Sequence, residues 1–337
     1  MTAKELFVAT LPFVWLKLSL KMIFVVIKVG AISSIIWGFM QQGVTQHIQY
    51  GIDITMGSLR FLILPIILLV VVMPILSFAL RIYGRYMVRV GHIAVIVRVV
   101  KTSKLPRDQI GYGFGMVKKH FMTANMFFIL DKLVHHAVVE LQSVMRGALM
   151  NLGLLAGLVS MFKHNLINHI DECCIGYAFL HKNQKPLKST LHGIVTYVSL
   201  WEIMAKRAVV LTLESVGISF LFYGTGITFL LLGVFSQNYI GITASLLIIF
   251  IGGAVKSCVL DTYVMVNMLV AFIQEVQKQN KKERTSMNTQ VMQTAHLSRQ
   301  FAALVFHANR EDDFLTNDEA ERLMTLQALN RNVGILP

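Results

Sequence analysis

The chain has 337 residues, of which 55% are apolar and only 15% charged, and its mean hydropathy is +0.62. A soluble domain carries about 25% charged residues, so an ordinary soluble globule is excluded. The net charge of +13 flanks hydrophobic stretches instead of forming a recognition motif, which excludes a nucleic-acid binder and follows the positive-inside pattern.

Two stretches set the class. Phe61–Leu80 and Val216–Phe235 each run 20 residues without a charge, and as helices each covers about 30 Å, the hydrocarbon thickness of a bilayer. The chain is therefore expected to be an all-α, polytopic integral membrane protein. Its lysines at 4, 17, 21 and 28 interrupt the N-terminal apolar run, which argues against a cleaved signal peptide. Cys173, Cys174 and Cys258 show no CxxC spacing, so no disulfide framework is expected.

In chain order, Leu6–Leu20 is broken by Pro12 and Lys17 and predicts an interfacial entry helix. Met22–Met40 predicts the first span, with Lys28 snorkelling to one interface. Gln41–Arg60 connects it to the second span, Phe61–Leu80, which Pro65 and Pro74 are expected to bend. Nine bases then follow between Arg81 and Lys119 against one acid, Asp108. That ratio predicts a cytoplasmic end, with both chain termini inside and Gln41–Arg60 outside. A bacterial inner membrane suits this pattern. Arg81, Arg85 and Arg89 recur every four residues and share a helix face suited to anionic lipid headgroups.

The block 81–208 is the least regular. In Met122–Gln142, Phe127, Leu130, Val134 and Val138 oppose Asp131, Lys132, His135 and His136 at helical spacing. Gly147–Phe162 has 16 residues, short of the roughly 20 needed to cross. Asn165–Leu180 and Leu191–Arg207 predict further amphipathic helices. The block reads as helices lying on, or re-entering, the cytoplasmic leaflet, with additional crossings as the alternative.

The third span is expected from Val209 to Phe235, a tight turn at Ser236–Asn238, and the fourth span from Tyr239. Apolar residues continue through Met265–Ile273, so the returning helix is expected to project into the cytoplasm. Residues 281–337 predict a polar cytoplasmic tail with one helix at Asn317–Asn330, where Thr316 and Glu319 fit a capping box. The expected organisation is an N-terminal hairpin unit (1–80), a basic helical block (81–208), a second hairpin with an extended returning helix (209–280) and the tail.

Candidate chemistry is sparse. Glu214 lies inside the third span, where a carboxylate is costly and needs a partner. Counting back from the turn puts it level with Leu260, beside Lys256 and Asp261. A Glu214–Lys256 ion pair is one expectation, proton or cation coupling by Glu214 with Asp261 is another, and exposure of Glu214 at the interface is a third. His169, Glu172 and Cys173 share a helical face, but three convergent ligands of known geometry are not specified; no metal or cofactor is expected. Gly111–Gly115 lacks GxGxxG spacing and reads as a flexible joint. No nucleophile elbow, HExxH or P-loop is present, so the chain is not expected to be an enzyme.

Gly91–Ala94 leading to Asn125–Val134, and His169–Phe179 leading to Lys188–Lys206, resemble an uncharacterised group of bacterial membrane proteins. Lys188–Lys278 is similar in layout to the C-terminal part of choline-transporter-like proteins. There a short amphipathic cytoplasmic helix precedes a span, a tight outer turn and a long returning helix. This resemblance covers about a third of the chain and implies membrane transport, with no substrate residue carried over. The leading expectation is transport, or solute or lipid handling, in a cavity between two hairpins lined by Glu214, Lys256 and Asp261. The competing one is a non-catalytic scaffold, as a homo-oligomer or a subunit of a larger membrane complex.

Overall fold

The computed structural model describes residues 2–41, 66–72, 74–75, 86–120, 169–181, 183–236, 238–278, 287–297, 299–312, 315 and 317–332. These residues are almost entirely helical, with no strand among them. That is the solution hydrocarbon imposes, because a helix pairs its own backbone groups within one segment. Three helical stretches are long and apolar enough to cross a membrane: Leu11–Ile36, Trp201–Phe235 and Tyr239–Lys278. Most of Phe61–Leu80 lies outside the described residues, as do Met122–Gln142, Gly147–Phe162, Arg81, Arg85 and Thr316.

Helix α1 (Ala3–Ala9) starts at a capping box. The Glu5 amide donates to Thr2 Oγ1 at 3.2 Å and the Thr2 amide to Glu5 Oε2 at 2.9 Å. Pro12 then falls at the second position of α2 (Leu11–Gln41). There its missing N–H is one the helix would leave unpaired anyway, so the proline opens the helix instead of breaking it. This corrects the expected entry helix Leu6–Leu20: α1 ends at Ala9, and Lys17, Lys21 and Lys28 all lie on one 31-residue helix.

The remaining helices are α3 (Tyr86–Thr102), α4 (Gln109–His120), α5 (Ile170–Leu180), α6 (Pro186–Ser199), α7 (Trp201–Phe235), α8 (Tyr239–Val255), α9 (Asp261–Lys278), α10 (Met287–Leu297), α11 (Arg299–Asp312) and α12 (Asn317–Asn332). A π-helical segment, Lys256–Leu260, joins α8 to α9. A second one occupies Leu68–Val72. The glycine run Gly111–Gly115 is not a joint but lies within α4. The carboxylate of Asp108 accepts from the Gly111 amide at 2.8 Å, and a side chain at Gly111 would collide with it. The expected helix Leu191–Arg207 is two helices divided at Leu200, where α6 ends.

The helices form two compact units. One comprises Leu11–Arg89 and Glu214–Thr262, the other Met1–Thr10, Val90–Leu213 and Tyr263–Pro337. In the first of these, α2 runs antiparallel to α8, with Tyr239 Oη donating to the Ser33 carbonyl at 3.3 Å near one end. Leu18, Met22, Val25 and Val29 pack on Phe250, Ile251 and Ala254. Their four-three-four spacing is the stripe a straight helix presents to a neighbour. In lipid, such contacts stabilise through close packing of small residues, since the tails are as apolar as the side chains. The turn of the α7–α8 hairpin follows the same rule. A side chain at Gly233 would meet the Ile242 backbone nitrogen at 2.9 Å, while Asn238 Oδ1 caps α8 by accepting from the amides of Ile240 and Gly241.

In the other unit α5 is the centre, with Gly176 against Leu269 of α9 and Val97 of α3. Phe7 of α1 stands edge-on to Tyr263, with ring centroids 5.4 Å apart. The C-terminal residues, expected as a polar tail, form three helices with Val291, Phe301, Ala302, Val305 and Leu323 buried. The last helix, expected at Asn317–Asn330, ends at Asn332.

Replacing Gly233 by Ala is expected to destabilise the protein by about 1–3 kcal/mol through overpacking. Gly224→Ala, where the space is open, is expected to be neutral or to stabilise by up to about 1 kcal/mol. Thermal unfolding of the purified full chain in detergent distinguishes the two.

Candidate functional site

Two polar constellations stand out, one in each unit. The first lies where α2 faces the π-helical segment. A π turn holds one more residue than an α turn and locally displaces the hydrogen-bond ladder, which is why such segments recur at functional sites. The Asp261 amide here donates to the Lys256 carbonyl, five residues back. Opposite, Lys17 Nζ donates to Thr262 Oγ1 at 3.3 Å. Lys21 Nζ donates to the Gly253 carbonyl at 3.2 Å and to Ser257 Oγ. Ala254 is buried against Val25 and Val29 of α2, and its small side chain lets the two helices approach closely enough for lysine stems to reach the α8 backbone; Gly253 turns instead toward Tyr223 of α7. At 100° per residue, Lys17, Lys21 and Lys28 fall within about 40° of one another on α2. They form a cationic stripe beside the apolar row Leu18–Val29. All three lysines are partly buried.

The expected site residues fall as follows. Lys256 lies within the π segment, half-buried, and Asp261 directly follows it. Glu214 is exposed on α7 between Leu213 and Val216, which are 47% and 43% exposed. No ion pair joins Glu214 to Lys256 among the described residues. The reason is angular. The face of α7 that packs on α8 runs through Phe222, Gly226 and Gly233, and continues down the helix at buried Ser219 and Ser215. Glu214 is one residue, about 100°, away from Ser215. Depth counting located the level of Glu214 but not its direction. Of the expected headgroup stripe, Arg81 and Arg85 lie outside the described residues and Arg89 is half-buried on α3. The exposed bases of the same run are Lys101 in the last turn of α3, Lys104 and Arg107 after it, and Lys118 and Lys119 on α4. Arg98 stacks over Tyr112, 4.4 Å from the ring centroid.

The second constellation is buried around α5. His169 Nδ1 and Glu172 Oε2 are 2.6 Å apart at its start, both side chains almost fully enclosed. Cys173 and Cys174 follow, fully buried and unpaired. Gly193 of α6 brings the two helices together: a side chain there would meet Cys174 Cα and Tyr177 Cβ at 3.1 Å. Phe272 fills the opposite side, 6.4 Å from the Tyr177 ring and 5.9 Å from Tyr197. Burial pushes both thiols well above their ordinary value, and for Cys173 the negative ends of Cys174, Glu172 and Asp171 add to it. The thiolate is the nucleophile and metal ligand, so these cysteines are chemically quiet. Burial likewise raises the Tyr197 phenol, whose hydroxyl has no hydrogen-bond partner among the described residues. Burial, then Lys188 and His181, lowers His192 to about 4. His169, Glu172 and Cys173 do not gather as a metal site: the first two bond each other, and among the described residues no three His, Cys, Asp or Glu side chains are grouped to hold an ion.

Sequence reasoning treated Lys17 and Lys21 as interruptions of an apolar run and missed that they face a partner helix. Their four-residue spacing was the available signal, once Pro12 is read as a helix start.

His192 is neutral in the folded protein and basic when unfolded. Its contribution to stability is therefore present above about pH 6.5 and lost as pH falls toward 4, a change on the order of 3 kcal/mol. His192→Gln is expected to flatten this part of the pH–stability curve, read from unfolding midpoints. N-ethylmaleimide at neutral pH is expected to leave Cys173 and Cys174 unmodified in the folded chain and to label both after denaturation, as mass spectrometry would register.

Comparison with known proteins adds no identification: no family description, no curated protein and no solved structure matches the chain.

Proposed function

We propose that this protein moves or handles a polar solute or lipid within the membrane. The observation that carries the reading is the cationic stripe of α2 meeting a π-helical segment inside two membrane-length helices. In hydrocarbon, charged side chains and irregular backbone persist where they are enclosed by protein or line a wet cavity, and they mark pathways far more often than passive packing. Interrupted helices are a recurring device of transporters. The choline-transporter-like layout of Lys188–Lys278 belongs to this reading. The scaffold alternative called for Glu214 and Lys256 to neutralise each other, and they do not pair. The nine-to-one excess of bases in 81–119 supports cytoplasmic termini in a bacterial inner membrane.

Reconstituted in liposomes, the full chain is expected to release small polar solutes or to move fluorescent phospholipids between leaflets faster than protein-free vesicles. Neither activity in correctly folded protein would sink the proposal. Glu214→Gln is expected to fold normally, since the carboxylate makes no contact that folding requires; lost flux in that variant would give it a coupling role. Single-cysteine labelling in a cysteine-free background is expected to reach Gln41 and Gln237 from outside but not Ser143 or Lys185.

A further inference from the structure

The unit containing α5 has an open cavity of about 520 Å³, within the size range of small-molecule sites. Three helices of that unit line it: Thr2 and Glu5 stand at the start of α1, Arg207 on α7, and Asn267 and Gln274 on α9. Asn267, Val270 and Gln274 follow one another at three- and four-residue spacing, so they share one face of α9, with Val270 buried between the two amides. Arg207 and Glu5 line this cavity without meeting. Arg207 is exposed and makes no hydrogen bond or ion pair among the described residues. Glu5 is held by its own helix: Oε2 accepts the Thr2 amide at 2.9 Å, and Oε1 takes no hydrogen bond among the described residues. Asn267 Nδ2 donates to the Tyr263 carbonyl at 2.9 Å, so its amide oxygen is the group left over. Gln274 makes no hydrogen bond among the described residues.

Opposite charges kept apart in one cavity suit a molecule that carries both. The guanidinium fork takes two oxygens of an oxyanion. A carboxylate oxygen and two amide oxygens suit the three N–H donors of a primary ammonium. A quaternary ammonium is recognised by aromatic rings instead, and among the described residues no Phe, Tyr or Trp lines this cavity. Position narrows the choice further. Trp201–Phe235 has 35 residues, about 52 Å as a helix, against about 30 Å of hydrocarbon. Its charges other than Glu214, namely Glu202, Lys206 and Arg207, gather in the first two turns, so that end projects beyond the hydrocarbon, where headgroups and water lie. We propose that this cavity binds an ethanolamine phosphodiester, its phosphate on Arg207 and its primary ammonium on Glu5, as a phospholipid headgroup or as free glycerophosphoethanolamine. The site belongs to the other compact unit and does not depend on the lysine face of α2.

The test uses the purified full chain in an uncharged detergent, with thermal midpoint as the readout. It is titrated separately with glycerophosphoethanolamine and with dihexanoyl phosphatidylethanolamine, each beside its trimethylated choline counterpart. A saturable rise with both ethanolamine compounds identifies a site open to the free group, and a rise with the lipid alone identifies a membrane headgroup. The choline counterparts are expected to bind about tenfold more weakly, having no ammonium N–H to donate. Arg207 is exposed and unpartnered, so Arg207→Gln is expected to fold with its unliganded midpoint unchanged and to lose about tenfold or more in affinity. Arg207→Lys keeps the charge without the fork and is expected to fall between the two. Glu5→Gln keeps the capping box, which accepts glutamine, and is expected to erase the preference for ethanolamine over choline. No response to either ethanolamine compound, an equal response to the choline counterparts, or a response unchanged by Arg207→Gln and Glu5→Gln together would overturn the assignment. Liposome flux is scored apart, because the site stands or falls on binding alone.

Discussion

Hydrocarbon gives no hydrogen bonds, so every polar group placed in it must find its partner within the protein. That constraint organises the α2–α8 unit. Lys17 and Lys21 can point into it because Ala254, buried against Val25 and Val29, lets α2 come within reach of the α8 backbone and of the hydroxyls beside it. The same small residue permits the apolar row from Leu18 to Val29 to pack closely. Packing and polar pairing are thus two results of one close approach, and loosening either would weaken the other.

The unit around α5 obeys a different rule. Nine of the residues in α5 are buried, so this helix is enclosed on nearly all sides and has no polar face to show. Its amphipathic look in the sequence came from His169, Asp171 and Glu172, which gather at its N-terminal end. There carboxylates are favoured by the helix dipole, and Glu172 is also bound to His169. A charge at a helix end and a charge on a helix face read alike when only spacing is counted. Gly193 and Gly176 decide the matter, because each removes a side chain at a contact with a neighbouring helix.

Much of the fold was legible from composition and periodicity: helices throughout, a long apolar helix ending at Phe235 (expected from Val209, observed from Trp201), another from Tyr239, the turn near Asn238, and the long returning helix. Three features were not. Pro12 was read as a break because its position relative to the helix start was unknown, and this hid the lysine stripe. Lys256 and Glu214 were matched by depth on straight, uniform helices, but partnership depends on direction around the axis, and the exposed face of α7 sets that. The burial of Phe301, Ala302 and Val305 was masked by the polar residues among which they are scattered. The four-residue recurrence of Lys17 and Lys21 was visible, yet its meaning required a partner helix.

The π-helical segment has a consequence for how this chain can change over time. It holds one residue more than a regular helix would, so losing any single residue from Lys256–Leu260 would restore an ordinary α turn without breaking the helix. Such a deletion would leave Asp261 and Thr262 facing α2 as they do now, whereas the same loss from a regular α turn would swing every later residue by about 100° about the axis. What the deletion would remove is the displaced hydrogen-bond ladder itself. The segment therefore absorbs a change of length that would turn the two halves of the helix apart anywhere else along it.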